Sequence, residues 1–318
     1  MNADYLWDGT GPVDADVASL EVLLGGLRVG PPASERWVAD VIVRPARESR
    51  RSSRWWLAMA AMVALTGLSA RLAHRAPEGE WAIASLEGST RVGGRALSGS
   101  SSVRVGEWVE TDAGARAAIA DPAVGTVLIG PGSRVRLTGA GAKHVVEMSR
   151  GRIEATIHAP AGVFYVDTPS ARAIDLGCAY TLEVDARGGG LLRVTLGYVE
   201  LAWHGRRSWV PRGATCRIMP GEGPGTPYFA DAGSEFAEAL RALDAGDGRA
   251  LDSVLELARA RDGLTLWHLL SRTSERERTR VVARLADLNP PPEGLSMAKV
   301  MALDAAELDR WLQWMRPF

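Results

Sequence analysis

Residues 163–205 read VFYVDTPSARAIDLGCAYTLEVDARGGGLLRVTLGYVELAWHG, and this stretch decides the fold of the chain. Four short runs in it are rich in valine, leucine, tyrosine and other β-formers, and glycine or proline lies between one run and the next. Short apolar runs bounded by turn residues are typical of strands. The stretch therefore predicts consecutive β-strands joined by tight turns.

The same pattern extends on both sides, from residue 81 to about residue 229. Its β-forming runs recur at intervals of about ten residues, with almost no helical periodicity. A faint internal repeat consists of valine or isoleucine followed by glutamate, shortly after a glycine. It occurs at Val109-Glu110, Ile153-Glu154 and Val199-Glu200. These features predict an all-β unit of stacked sheets, either a sandwich or a short β-solenoid.

One motif within this unit is more specific than the general β pattern. A strand ends in Val-x-Thr-Pro, and glycines mark the turns that follow, at Val166, Thr168, Pro169, Gly177, Gly197 and Gly213. In its order and spacing this motif resembles the FecR domain, and the resemblance covers residues 81–220. It implies a membrane-bound regulator that holds or releases a sigma factor of the extracytoplasmic-function class, with the β unit as its sensor.

The chain has two cysteines, Cys178 and Cys216. The FecR-like motif usually has threonine at the position of Cys178. In an oxidising compartment the two thiols are expected to form a disulfide. On the chain-entropy model, closing a loop of this length would stabilise the folded state by about 4 kcal/mol. Two buried free thiols and a metal-binding pair are the alternatives.

Residues 55–73, WWLAMAAMVALTGLSARLA, are apolar and follow an arginine-rich run. As a helix they would span about 28 Å, close to the thickness of a bilayer core. The positive-inside rule then predicts a single transmembrane helix in the inner membrane, with a cytoplasmic N-terminus and a periplasmic C-terminus. A buried core helix is the alternative, and a cleaved signal peptide is disfavoured because the run begins only at residue 55.

Residues 1–54 form an acidic helical segment followed by the basic run. Four apolar residues of the acidic part share one helical face: Val17, Leu20, Leu24 and Leu27. A helix this short gains stability by laying that face against a partner. The segment therefore has the pattern of a partner-binding peptide, although a frayed leader helix has a similar pattern, and the FecR resemblance implies that the partner is a sigma factor.

Residues 231–318 return to helical periodicity, with Ser274 and Glu277 predicted as a capping box and Ser296 as a helix N-cap. The predicted fold class is therefore mixed, with a C-terminal helical bundle after the β unit. The predicted domains are a cytoplasmic segment at residues 1–54, a transmembrane helix at residues 55–73, a FecR-like periplasmic domain at residues 81–230 and a helical domain at residues 231–318.

No pattern of catalytic or cofactor-binding residues is evident. The five histidines show neither H-x-H nor HExxH spacing, and the formal net charge of −1 gives no global field for nucleic acid. We expect a protein that is not an enzyme and that uses no cofactor, metal or direct nucleic-acid contact. Its expected partners are an extracytoplasmic-function sigma factor, the lipid bilayer and an unknown envelope ligand or protein.

A second hypothesis is an anchored periplasmic scaffold that recognises cell-wall glycan or an envelope partner. In that case Trp108, Trp203 and Trp209 would be exposed stacking residues rather than core residues.

Overall fold

The computed structural model describes residues 80–139 and 141–315. The strands within this part follow the alternation that the sequence shows. In the strand Phe164–Thr168, for example, Phe164, Val166 and Thr168 are buried and the two residues between them are half-exposed. The structure also contains a strand at Ala171–Asp175, which the sequence runs did not reveal. Its alternating burial is produced by alanines, which are weak β-formers.

The strands form two sheets that share one long strand. The first sheet, sheet A, runs in the order β4 (Ser100–Arg104), β1 (Glu80–Glu87), β6 (Arg116–Asp121), β7 (Gly125–Ile129), β9 (His144–Ile157), β12 (Ala179–Val184), β13 (Gly190–Leu196) and β16 (Ala214–Met219), with β17 (Gly223–Pro224) and β18 (Tyr228–Phe229) beyond. Sheet B runs in the order β3 (Arg95–Ala96), β2 (Thr90–Val92), β5 (Trp108–Thr111), β8 (Arg134–Gly139), β9, β10 (Phe164–Thr168), β11 (Ala171–Asp175), β14 (Tyr198–Trp203) and β15 (Arg206–Pro211).

Strand β9 passes from sheet B into sheet A at Gly151. Before this residue β9 pairs with β8 and, in parallel, with β10, whereas after it β9 pairs with β7 and β12. Gly151 has a φ of +106°, and a Cβ there would lie 2.2 Å from Ser133 Oγ. Glycine is therefore required at the crossing, both for its backbone conformation and for the close approach.

The core lies between the two sheets. Large side chains with no more than 1% exposure come from both of them, among them Trp81 and Leu182 of sheet A and Phe164 and Met148 of sheet B. The β unit is therefore a sandwich whose sheets are joined through β9, which agrees with the stacked sheets expected from the sequence.

The helices follow the last strand and have their own apolar cluster. They are α1 (Ser234–Asp244), α2 (Ala250–Leu257), α3 (Gly263–Leu270), α4 (Glu275–Leu288), α5 (Met297–Met301) and α6 (Ala305–Met315), with a 3-10 turn at Ala260–Asp262. The predicted capping box of Ser274 and Glu277 is present, and Ser296 caps α5 as predicted. Leu264 and Leu312 belong to the core of the sandwich, so the helices pack directly on the β unit.

The fold class and the localisation predicted from the sequence need correction. Residues 55–73 lie outside the described residues, and so do Val17, Leu20, Leu24 and Leu27. Within the described ranges no helix has both the length and the apolar character that a membrane crossing needs. The longest, α4, has 14 residues and would cover about 21 Å, well short of a bilayer core. The described chain is thus mostly β-sheet with C-terminal helices, which corrects the predicted fold class, and none of its described helices supports the predicted inner-membrane localisation.

Candidate functional site

The FecR-like motif residues lie at corners of the sandwich. Val166 is buried in β10, and Thr168 closes the turn from β10 to β11 around Pro169. The Thr168 hydroxyl accepts a hydrogen bond from the Ala171 N–H at 2.9 Å and donates one to the Ala171 carbonyl at 2.8 Å. The threonine side chain therefore closes the tight turn at the end of the β10–β11 ladder, where Pro169 has no N–H to donate.

The three motif glycines occupy corners that exclude a side chain or disfavour one. Gly177, Gly197 and Gly213 have φ values of +86°, +66° and +80°. A Cβ on Gly197 would lie 2.4 Å from the Gly177 carbonyl oxygen, so the two corners pack against each other. The motif therefore specifies turns and close backbone contacts, and it carries no reactive group.

Both cysteines are buried free thiols, so the predicted disulfide is not formed in this structure. Cys178 donates to the Asp175 carboxylate at 2.6 Å, and Cys216 donates to the Gly225 carbonyl at 3.1 Å. Burial raises the pKa of Cys216 to about 12, and burial together with the Asp175 charge raises the pKa of Cys178 further. Neither thiol can act as a thiolate nucleophile at neutral pH.

A buried polar junction connects β15 to the helices. Strand β15 is the outermost strand of sheet B, and His268 of α3 accepts a hydrogen bond from the backbone N–H of Trp209 at 3.3 Å. Arg272 lies four residues further on, just past the end of α3, and donates to the Arg207 carbonyl at 2.9 Å and to Ser208 Oγ at 2.7 Å. These two side chains thus pair backbone groups that an uncovered sheet edge would leave open.

The electrostatics of this junction follow from its burial. Burial, reinforced by the nearby Arg272 charge, holds the pKa of His268 well below its usual range, so its imidazole is a neutral acceptor. Burial likewise lowers the pKa of Arg272 to about 10. Asp244 of α1 completes the junction by accepting from the Thr226 N–H and hydroxyl, both at 2.7 Å. The junction fixes the helices on the sandwich.

The outer face of sheet B carries a row of ion pairs. Arg134 and Arg136 lie over the Trp108 ring, with their guanidinium carbons 3.7 and 4.5 Å from its centroid. Arg134 pairs with Glu110 at 3.0 Å, and Arg136 pairs with Glu147. Trp108, expected as an exposed stacking residue in the scaffold hypothesis, is therefore engaged in cation–π contacts within the protein.

The other two tryptophans of that hypothesis differ in their surroundings. Trp209 stacks on Tyr198 with a centroid separation of 6.1 Å. Trp203 instead lines an open cleft at the end of sheet B, next to the motif turn. A second cleft lies between sheet A and α1, and its charged lining is balanced, with three arginines and three carboxylates.

The histidines of the described chain do not gather into a site. His144 accepts from the Trp81 indole at 3.3 Å, and His158 contacts the Pro122 carbonyl at 2.9 Å. Among residues 80–139 and 141–315, no group of three or more histidine, cysteine, aspartate or glutamate side chains is placed to hold a metal ion.

Two solved structures of a "putative anti-sigma factor" from Parabacteroides distasonis are similar to this chain. Each has 17% identity over 42% of this chain and a TM-score of 0.35. The match covers 63% and 62% of those chains, which is less than two thirds of their length. No protein-family model matches the chain, and no curated protein matches it. A likeness at this level establishes neither a shared family nor a shared activity.

The junction of His268 and Arg272 has no distinctive pattern in the sequence. The only signal of the junction in the sequence is a histidine and an arginine four positions apart. That spacing would place them on one side of a continuous helix, but it does not indicate that the helix ends at Leu270 or which strand the two side chains meet.

Proposed function

We propose that this chain is a regulator that binds a sigma factor of the extracytoplasmic-function class, that its β-sandwich is the signal-binding part, and that it is not an enzyme. The observation that carries the proposal is the agreement between the FecR-like motif and the sandwich. Thr168 closes a turn, and Gly197 lies at a corner with no room for a Cβ. The motif thus has a physical role in this fold, and the function is inferred from the resemblance.

The contact with the sigma factor is proposed on the sequence pattern of the acidic segment. Leu20 and Leu24 lie at the centre of its apolar face, and a helix of this kind binds by burying that face in a groove of its partner. The acidic charge of residues 1–43 favours a partner with a basic surface.

The experiment is direct binding of the full-length chain to each extracytoplasmic-function sigma factor of the same organism. We expect saturable binding to one of them with a Kd of about 1 μM or tighter, equivalent to about −8 kcal/mol. The double variant Leu20→Asp/Leu24→Asp should lose this binding, because charged residues cannot enter an apolar groove.

The matched control is Leu196→Asp, which replaces a leucine that is already 58% exposed on the sandwich. This variant should bind like the unmodified chain. Absence of binding to every sigma factor would refute the proposal, and equal binding by the double variant would refute the assigned contact.

A further inference from the structure

The cleft beside the motif turn has the size of a small-molecule site. It has a volume of about 560 Å³ and lies between two turns at the same end of sheet B. One wall comes from residues 167–172, at the turn from β10 to β11, and the other from residues 202–207, at the turn from β14 to β15. Pockets for small ligands fall between about 300 and 1,000 Å³.

Arginine is the prevailing charged residue in the lining of the cleft. Arg172, Arg206 and Arg207 line it, against Asp167 as its one carboxylate in the described lining. The Arg172 guanidinium donates two hydrogen bonds to the Asp167 carboxylate oxygens, at 2.6 and 2.8 Å. Arg207 forms an ion pair with Glu200, which lies outside the cleft. Arg172 and Arg207 are therefore each held by a carboxylate, and Arg206 is the lining arginine with the longest ion pair.

Arg206 has hydrogen-bonding capacity that its neighbours leave unused. Its Nε is buried and has no hydrogen-bond partner within the described chain. Its nearest carboxylate, Asp244, lies 3.8 Å away and is itself held by Thr226. Guanidinium groups recognise carboxylates and phosphates through paired N–H donors, so a small shift of Arg206 toward the cleft would satisfy it with an anionic ligand.

The second wall adds an aromatic surface. The Trp203 ring contacts the His204 ring edge to face at 4.6 Å, and a Cβ on Gly223 would lie 2.7 Å from Trp203 Cβ. His204 has a φ of +43°, a conformation that hairpin turns usually reserve for asparagine, aspartate or glycine. The turn thus holds an imidazole and an indole beside the arginines, despite the cost of that conformation.

From these features we infer that the cleft binds a small anionic ring, of the class of carboxylated or phosphorylated sugars. Arg206 binds the acidic group, and the flat aromatic wall packs against the face of the ring. This inference rests on the proposed function, since it names the class of signal that the β-sandwich receives. Because Arg206 also lies 3.8 Å from Asp244 of α1, a ligand bound to it would act directly on the junction with the helices.

The test is calorimetric titration of the full-length chain with glucuronate and with glucose 6-phosphate, using glucose and inorganic phosphate as reference probes. We expect at least one of the two acidic sugars to bind saturably, with an affinity at least about tenfold higher than that of either reference probe. Arg206→Met should weaken this binding by about tenfold or more, and Arg206→Lys should have an intermediate effect because it keeps the charge and loses the fork.

Arg212→Met is the matched control, since Arg212 is an exposed arginine that does not line the cleft. It should bind like the unmodified chain, and far-UV circular dichroism should show that all variants are folded. The inference is overturned if neither acidic sugar binds saturably up to about 10 mM, or if Arg206→Met and Arg212→Met bind equally. No sigma factor is present in this titration, so its failure is distinct from failure of sigma-factor binding.

Discussion

Mild acid should destabilise this protein through one buried histidine. His268 is 3% exposed, and its neutral Nε2 accepts the Trp209 N–H. Its pKa is about 6.5 in the unfolded chain and well below that in the folded one. A base whose pKa is depressed by folding binds more protons when unfolded, so its contribution to stability is present above pH 6.5 and is lost as the pH falls.

The magnitude follows from the same two states. With the folded imidazole neutral throughout, protonation of the unfolded chain between pH 7 and pH 5 lowers the free energy of unfolding by about 2 kcal/mol. The assay is urea-induced unfolding at both pH values, for the unmodified chain and for His268→Gln. Glutamine keeps a neutral oxygen that can accept the Trp209 N–H, and it does not titrate.

We expect the unmodified chain to lose about 2 kcal/mol more than His268→Gln between the two pH values. Burial raises the pKa of Asp175, and this acts in the opposite direction, but it is common to both proteins and cancels in the difference. Equal losses in the two proteins would refute the buried, neutral His268.

Three further outcomes are expected. Gly197→Ala should lower the free energy of unfolding by more than about 2 kcal/mol in a denaturant titration, because its Cβ would clash with the Gly177 carbonyl oxygen. Gly205→Ala has open space around it, so it should lower that free energy only by the about 1–2 kcal/mol that a left-handed backbone costs a residue other than glycine. Cys178 and Cys216 should both resist an aromatic disulfide reagent in the native protein and both react after unfolding in urea; reaction of either in the native state would contradict their burial. Thr168→Val should cost about 1–3 kcal/mol, measured as the shift in urea midpoint, because it leaves a buried turn unpaired, and no change would show that the turn closes without the hydroxyl.

Local patterns predicted local structure well. The alternation of residues in β10 placed that strand, and the box of Ser274 and Glu277 placed the start of α4, because both signals depend on neighbours along the chain. The strand Ala171–Asp175 was missed because alanine gives almost no β signal. This segment becomes a strand through its pairing with β10 and β14 on either side.

Features that depend on distant residues could not be read in this way. Nothing local indicates that His268 and Arg272 would meet the edge of β15, or that Trp203 would line a cleft while Trp108 lies under two arginines.

The passage of β9 through both sheets has a consequence for how the sandwich assembles and fails. Strands from residues 80–139 lie on one side of β9 in each sheet, and strands from residues 164–229 lie on the other. Neither sheet can therefore be completed from one half of the sequence, and a break in β9 would cut both sheets at once. Because both halves of the sequence depend on β9 for their pairing, the sandwich should unfold as one cooperative unit rather than sheet by sheet.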